Sequence, residues 1–329
     1  MPVRTAGDAK LTTVPSARLK LIQARVVSAI DMQSATGHHW RSAIGRVSVL
    51  RVIVKSRYGQ HLIQTMRGAR AVREPVRFVA LQFGRPRRAG YRLRGSDFAI
   101  FVRHCTRDVH ILNEIFGGTA GRHSYEPPAD LGSLLDGRPS PRVLDVGGNI
   151  GLFGVDVLSR WPGATIRSFE PDPANGDLLA KVISANHLEK RWTLVRAAVA
   201  NRAGDLEFTA GLFADSHVAA RDPESSGSSG DGTLTVPSVD LFAEDHHVDL
   251  LKMDIEGAEW PILTDSRLPD LRATVLVLEW HARGCPEPEP HACVLRLLRE
   301  AGYGELYEVE SGSENGVLWA RRQGARTNS

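Results

Sequence analysis

The chain has 329 residues, 42% of them apolar, and a net charge of +3; that length suits about two domains with a sizeable core, and no stretch reaches the ~20 apolar residues of a membrane span. The charge is divided, with +16 over residues 1–94 and −13 over the remainder, a polarity that predicts a basic partner surface or docking of one half on the other. No helix-turn-helix, zinc-finger or aromatic RNA-binding signature accompanies the arginines, so nucleic acid is not expected as a partner and an anionic membrane surface is the stronger external candidate.

In chain order, residues 1–15 read as disordered, and 17–35 and 42–70 carry helical spacing. In the second segment Ile44, Val47, Leu50, Val54, Tyr58, Leu62 and Met66 form one apolar stripe between arginines. Such a basic helical segment, 1–75, either packs on the body of the protein or lies on a membrane face. The runs "VRFVALQF", "YRLR" and "FAIFVRH" alternate and predict a small antiparallel sheet over 76–124, closed by a helix at 108–116. Residues 125–141 read as a Pro- and Gly-containing linker. The three cysteines lack metal-like spacing, which predicts free thiols in a reduced, cytoplasmic setting. No secretory h-region is evident at the start.

From 142 to 322 strands and helices alternate. "RVLDVGG", "ATIRSFE", "WTLVRAAVA" (192–200), "DLLKMDIEG" and "ATVLVLEWH" read as strands, "ANGDLLAKVISANH" and "ACVLRLLREAG" as helices. This alternation predicts a doubly wound α/β domain with a parallel sheet. A mobile loop is expected at 224–232 and a disordered tail at 323–329.

The first strand runs into "VLDVGGNIG". A dinucleotide-binding turn would read G-x-G-x-x-G, but Val146 stands where its first glycine belongs. The pattern present is D-x-G-x-x-x-G, from Asp145, Gly147 and Gly151. An acid at the strand end would repel a pyrophosphate and suits the sulfonium and ammonium of S-adenosylmethionine, with Gly147 letting the backbone approach its methionine part. Glu170, at the end of the second strand, is placed to take ribose hydroxyls, or is an exposed strand-end acid. Asp172 before Pro173 reads as a helix N-cap.

"VLDVGGNIG", "FEPDP", "VPSVDL" and "LLKMDIEGAE" together resemble, in order and spacing, the FkbM-type S-adenosylmethionine-dependent methyltransferases over roughly 140–281. The resemblance implies the class I methyltransferase fold, a Rossmann-like seven-stranded sheet with one reversed strand, and methylation of hydroxyl oxygens on sugars, glycolipids or polyketides. The expected cofactor residues are Asp145, Gly147, Gly148, Asn149, Gly151, Glu170, Pro171, Ala198 and Asp254. Catalytic candidates are His281, Asp254 and Glu256. Asp254 ends the fourth core strand, though "D-x-E-G" can also open a helix. His281 ends the fifth, and its ordinary pKa suits a general base, with Glu279 on the same strand face to orient it. Glu259 reads as structural, complementing a helix dipole. The proline-rich "ARGCPEPEPH" is expected to wall the acceptor side. A divalent metal held by Asp254, Glu256 and His281 is not favoured, because no fixed ligand motif is present. The rival readings are a nicotinamide-dependent dehydrogenase or epimerase and a non-catalytic, membrane-associated binding module. Val146 and the lack of a hydride-site signature disfavour the first. Intact Asp145, Glu170 and Asp254 disfavour the second.

Overall fold

The computed structural model describes residues 57–117, 124–209, 217–218, 233–244 and 247–324. The expected helix at 17–35, the first part of that at 42–70, the loop 224–232 and most of the tail lie outside the described residues. No helix among the described residues is long and apolar enough to cross a membrane.

Helix α1 spans Arg57–Ala71 and α2 Pro75–Gln82. The segment of α2 was expected as a strand; alternation over so short a run fits either period. Two features favour the helix: Pro75 sits at its first turn, and Phe78 and Gln82, four residues apart, are its buried pair. Strands β1 (Arg88–Arg92) and β2 (Ala99–Arg103) pair antiparallel, and α3 (Asp108–Phe116) comes next, as expected. The expected linker instead holds a further helix, α4 (Ala129–Asp136), whose Leu131 and Leu135 are buried. One apolar cluster joins Phe78, Leu93, Leu112 and Leu131 to Leu152 and Trp192. The small sheet therefore shares a core with the α/β domain, and 125–141 is not a linker.

The α/β domain begins with β3 (Arg142–Val146), α5 (Leu152–Arg160), β4 (Thr165–Phe169), α6 (Pro173–Ala185), β5 (Trp192–Val195) and β6 (Ala198–Ala200). Asp172 caps α6 as expected, accepting from the amides of Ala174 and Asn175 at 2.7 and 3.2 Å. The single strand expected over 192–200 is two. The Ala197 amide bonds back to the Val195 carbonyl at 3.0 Å, a tight turn that sends β6 into a second sheet. That sheet also contains β7 (Gly204–Thr209), β8 (His217–Val218) and β9 (Thr233–Asp240), in the order β6-β9-β7-β8.

The chain then returns through β10 (Leu250–Met253), α7 (Trp260–Leu263), β11 (Val275–His281), α8 (Pro290–Glu300), β12 (Tyr303–Ser311) and β13 (Asn315–Arg322). Among the described residues the main sheet has seven strands in the order β12-β13-β11-β10-β3-β4-β5. Only β13 runs antiparallel to its neighbours on both sides, while β10, β11, β3, β4 and β5 pair in parallel. This is the class I methyltransferase topology with its one reversed strand. From β3 the chain moves to one side, through β4 and β5, and later returns on the other side as β10. The order therefore reverses between β3 and β10, and a crevice at their carboxyl ends is the ligand position the topology dictates.

Candidate active site

The register of the sheet builds the floor of this crevice. Asp145 on β3 lies opposite Ser168 on β4 and Lys252 on β10. Its carboxylate accepts from the Ser168 hydroxyl at 2.7 Å, and Lys252 Nζ stands 3.8 Å away. Asp145 is fully buried; burial raises its pKa, against the pull of Lys252 and Ser168. The cation it meets is thus Lys252, where the sequence pointed to a cofactor sulfonium. Lys252 Nζ also donates to the Gly147 carbonyl at 2.6 Å and pairs with Asp254 at 3.2 Å. Burial works against its charge, but Asp254 and Asp145 outweigh that and raise its pKa. Sequence reasoning missed Lys252, although a lysine inside the apolar run "DLLKM" was the available signal.

Above the floor lies the turn after β3. Gly147 is left-handed at φ +85°, and a Cβ there would meet the Asp254 carbonyl oxygen at 1.8 Å, so only glycine fits. Every backbone amide from 147 to 151 already donates within the protein. Gly147 and Gly148 both donate to the Phe169 carbonyl, at 3.1 and 2.8 Å, and Gly151 to that of Gly148 at 2.9 Å. Asn149 donates to Glu170 Oε2 at 2.7 Å, and Ile150 to Asn149 Oδ1 at 2.8 Å. Glu170 also accepts from the Asp172 amide at 2.8 Å. Burial pushes Glu170 up to about 7, against these amide bonds. No bare amide in the turn is left for a pyrophosphate.

The other wall is acidic. Tyr125, from the segment expected to be a linker, places its hydroxyl 3.0 Å from Asp254 Oδ2 and 2.9 Å from Glu279 Oε2. Burial, and then the charge of Asp254, pushes Glu279 up to about 8. The Tyr125 hydroxyl is the donor that joins the two acids. Burial and both acids raise Tyr125 well above its ordinary pKa. Asp254 Oδ1 is buried with no hydrogen-bond partner. Glu256 holds a left-handed φ of 53°, a conformation that costs about 1–2 kcal/mol away from glycine. Burial and Asp254 push Glu256 up to about 7.

His281 joins this wall at the end of β11. Its Nδ1 lies 3.1 Å from Glu259 Oε1, and Nε2 lies 3.5 Å from Glu256 and 3.8 Å from Glu279. Glu259 is wholly buried and is fixed by the amides of Ile255 and Gly257 at 3.3 and 3.0 Å. It, and not Glu279, orients the imidazole. Burial draws the His281 pKa down, but the hydrogen bond and charge of Glu259, with Glu279 and Glu256, lift it to about 9. At neutral pH His281 is an imidazolium, not the half-titrated ring its ordinary pKa implied.

Between the turn and the acids lies a cavity of about 340 Å³. Gly147, Gly148, Asn149, Asp254, Glu256 and His281 all line it. Asp145, Gly151, Glu170, Pro171 and Ala198 do not; Gly151 ends the turn at the start of α5, and Ala198 begins β6. The expected wall from "ARGCPEPEPH" is absent from this lining; α3 and the residue before it supply it instead, through Arg107, His110, Ile111, Glu114 and Ile115. Among the described residues no group of three or more His, Cys, Asp or Glu side chains is arranged to hold a metal ion.

The donor set fits S-adenosylmethionine. Asp254 Oδ1 has no partner, and the turn offers no free amide to a phosphate; the space beside Gly147, expected to admit the methionine part, is taken by the Asp254 carbonyl.

Residues 145–304 match the family profile described as the Methyltransferase FkbM domain. A protein described as methyltransferase sdnD, from Sordaria araneosa, is 26% identical over 196 residues, covering 50% of this chain and 74% of that one. The crystal structure of an FkbM methyltransferase from Methylobacillus flagellatus KT is 17% identical, with a TM-score of 0.38, over 65% of this chain and 53% of that one. The chain thus spans about half of that structure. A structure of an O-methyltransferase family protein from Burkholderia thailandensis is 16% identical, with a TM-score of 0.32, over 56% and 52%. Residues 145–304, which hold most of the parallel strands and the crevice between β3 and β10, thus match the Methyltransferase FkbM domain.

Proposed function

We propose that this protein transfers a methyl group from S-adenosylmethionine to a hydroxyl oxygen of a sugar, glycolipid or polyketide-type acceptor. One observation carries the donor assignment: the turn at 147–151 has no unengaged amide and faces a cavity lined with carboxyl groups. A dinucleotide phosphate would find no free amide there, and a sulfonium or ammonium would find the buried, partnerless Oδ1 of Asp254 as its counter-charge. The same observation weighs against a nicotinamide-dependent reaction.

Gly147, Gly148, Asn149 and Asp254 are the residues proposed to hold the methionine part. Glu170, which fixes the Asn149 amide, is proposed to take the ribose hydroxyls, with Pro171, Gly151 and Ala198 completing the adenosine side. When bound, the donor supplies an electrophilic methyl on a good leaving group. The chain's own residues hold the acceptor in line and take its proton. His281 is proposed as the base. Glu259 fixes Nδ1, so Nε2 faces the cavity and the buried carboxylate stabilises the imidazolium that forms. Asp254 and Glu256 are proposed to place the acceptor hydroxyl. Because His281 titrates near 9, turnover should rise with pH up to that value.

The test has two arms. In calorimetry the protein should bind S-adenosylhomocysteine and not NADH; binding of NADH alone would remove the assignment. Incubation with methyl-labelled donor and a panel of glycosides, glycolipids and polyketides should then label a hydroxyl oxygen. Label on nitrogen or carbon would leave the donor site standing and overturn the acceptor class.

A further inference from the structure

The described residues expose six large apolar side chains, and four of them, Leu62, Met66, Val76 and Phe83, fall within the short span of α1, α2 and the turn after α2. Val76 is 81% exposed, more than any other. Two of them, Met66 and Val76, line an open groove of about 700 Å³ together with Ala69, Val79, Ala80, Arg70 and Arg94. Residues 57–94 contain ten arginines and one acid, Glu74. Arg70, Arg73, Arg77 and Arg94, close to the groove in sequence or lining it, are all exposed.

We propose that this face, the α1–α2 groove with its rim of arginines, docks the protein on an anionic lipid bilayer. The two halves of the feature call for different parts of one partner. Guanidinium groups around the groove match lipid phosphates, each basic group near such a surface adding about five-fold to binding. The apolar side chains match the boundary between headgroups and acyl chains, where an exposed Val, Met or Phe leaves water. A nucleic acid would use the arginines and leave the apolar groove exposed. An acidic protein would meet an arginine rim of one sign.

The face is braced from behind. Phe78 of α2 packs at 5.3 Å on Tyr91 and 5.0 Å on His104 of the small sheet, and Val72 bridges Leu93. On the opposite side, Asn113 of α3 donates to the carbonyl and the side-chain oxygen of Gln64 at 2.9 and 2.6 Å. Helix α3 lines the catalytic cavity, so the docking face and the acceptor wall belong to one rigid stack. None of the features of the groove depends on the identity of the methyl acceptor.

The experiment uses the full chain with phosphatidylcholine vesicles, with and without phosphatidylglycerol. Sedimentation should occur only with the anionic vesicles and should fall as salt rises. Arg70→Gln with Arg77→Gln should lower partitioning about 25-fold. Met66→Ser with Val76→Ser should lower it further while leaving the salt dependence unchanged. All four side chains are exposed; Arg77 also donates to the Gly90 carbonyl at 3.1 Å, so thermal unfolding of each variant accompanies the binding assay, and the basic residues before Arg57 remain in every variant. Unchanged partitioning in the combined variant would overturn the proposal. So would equal binding to neutral vesicles, binding to neither, binding to RNA but not to vesicles, or a dimer that Val76→Ser dissociates.

Discussion

Glu259→Gln tests the proposed chemistry most directly, because it removes one charge and little else. The glutamine oxygen can still accept from the Gly257 amide, now at 3.0 Å, and from His281. Lifting His281 from its ordinary 6.5 to about 9 corresponds to about 3 kcal/mol in favour of the imidazolium. A full charge pair at this separation is worth about 5 kcal/mol at an effective dielectric of ~20. Glu259, wholly buried and 3.1 Å from Nδ1, can therefore account for the whole of that preference. Its neighbours cannot replace it, since Glu256 and Glu279 titrate near 7 and 8 and are largely neutral where a released His281 would titrate. In the variant burial is left to act, and the His281 pKa should fall to 6.5 or below. Two readouts test this. The imidazole resonances should titrate near 9 in the parent and at least ~2 pH units lower in the variant. The parent's kcat should climb to a plateau near pH 9; the variant's should plateau earlier and about 10–100-fold lower, because the imidazolium formed in transfer has lost its counter-charge. Affinity for S-adenosylhomocysteine should be retained. Unshifted resonances in the variant, or a parent profile flat from about pH 7 to 10, would rule out the dyad.

Other expectations are independent of that dyad. Lys252→Met leaves Asp145 buried without its cation and should cost about 3–5 kcal/mol in urea unfolding; adding Asp145→Asn should recover most of it, and a fully stable single variant would contradict the network. Tyr125→Phe removes the hydroxyl joining Asp254 and Glu279; it should cost about 1–3 kcal/mol and lower kcat with donor affinity retained, so wild-type kinetics would exclude Tyr125 from the site. Stability should decline as pH rises. The His281 contribution is complete below 6.5 and lost through about 9, and the preference of the fold for neutral Glu279 is lost between its ordinary 4.5 and about 8; a urea midpoint that rises from about pH 6 to 9 would contradict both. Gly147→Ala drives a Cβ to 1.8 Å from the Asp254 carbonyl and should abolish donor binding; retained binding would mean the turn is not the cradle.

Buried parallel strands and amphipathic helices impose different periods, and over the length of the catalytic sheet the difference exceeds the ambiguity. β3, β4, β10, β11 and α6, with its Asp172 cap, are all legible in the sequence in that way. Gly147, Gly148, Asn149, Asp254, Glu256 and His281 were also legible, since each stands at or just after a strand's carboxyl end and the topology gathers those ends. Short segments were not. "VRFVALQF" fits both periods, and only the packing of Phe78 and Gln82 against the small sheet makes it helical. Residues 125–141 look like a linker because prolines and glycines dominate locally, yet Leu131 and Leu135 find a core built by distant residues. The electrostatics likewise arise from contacts between remote parts of the chain. Asp145 meets Lys252 through cross-strand register, a relation between residues 107 positions apart in the chain. Tyr125 reaches Asp254 and Glu279 across 129 and 154 positions. Glu259 and Glu279 were both visible as acids near His281, but strand spacing favoured the wrong one. A pKa depends on which charges share a dry volume, and the sequence does not record that volume.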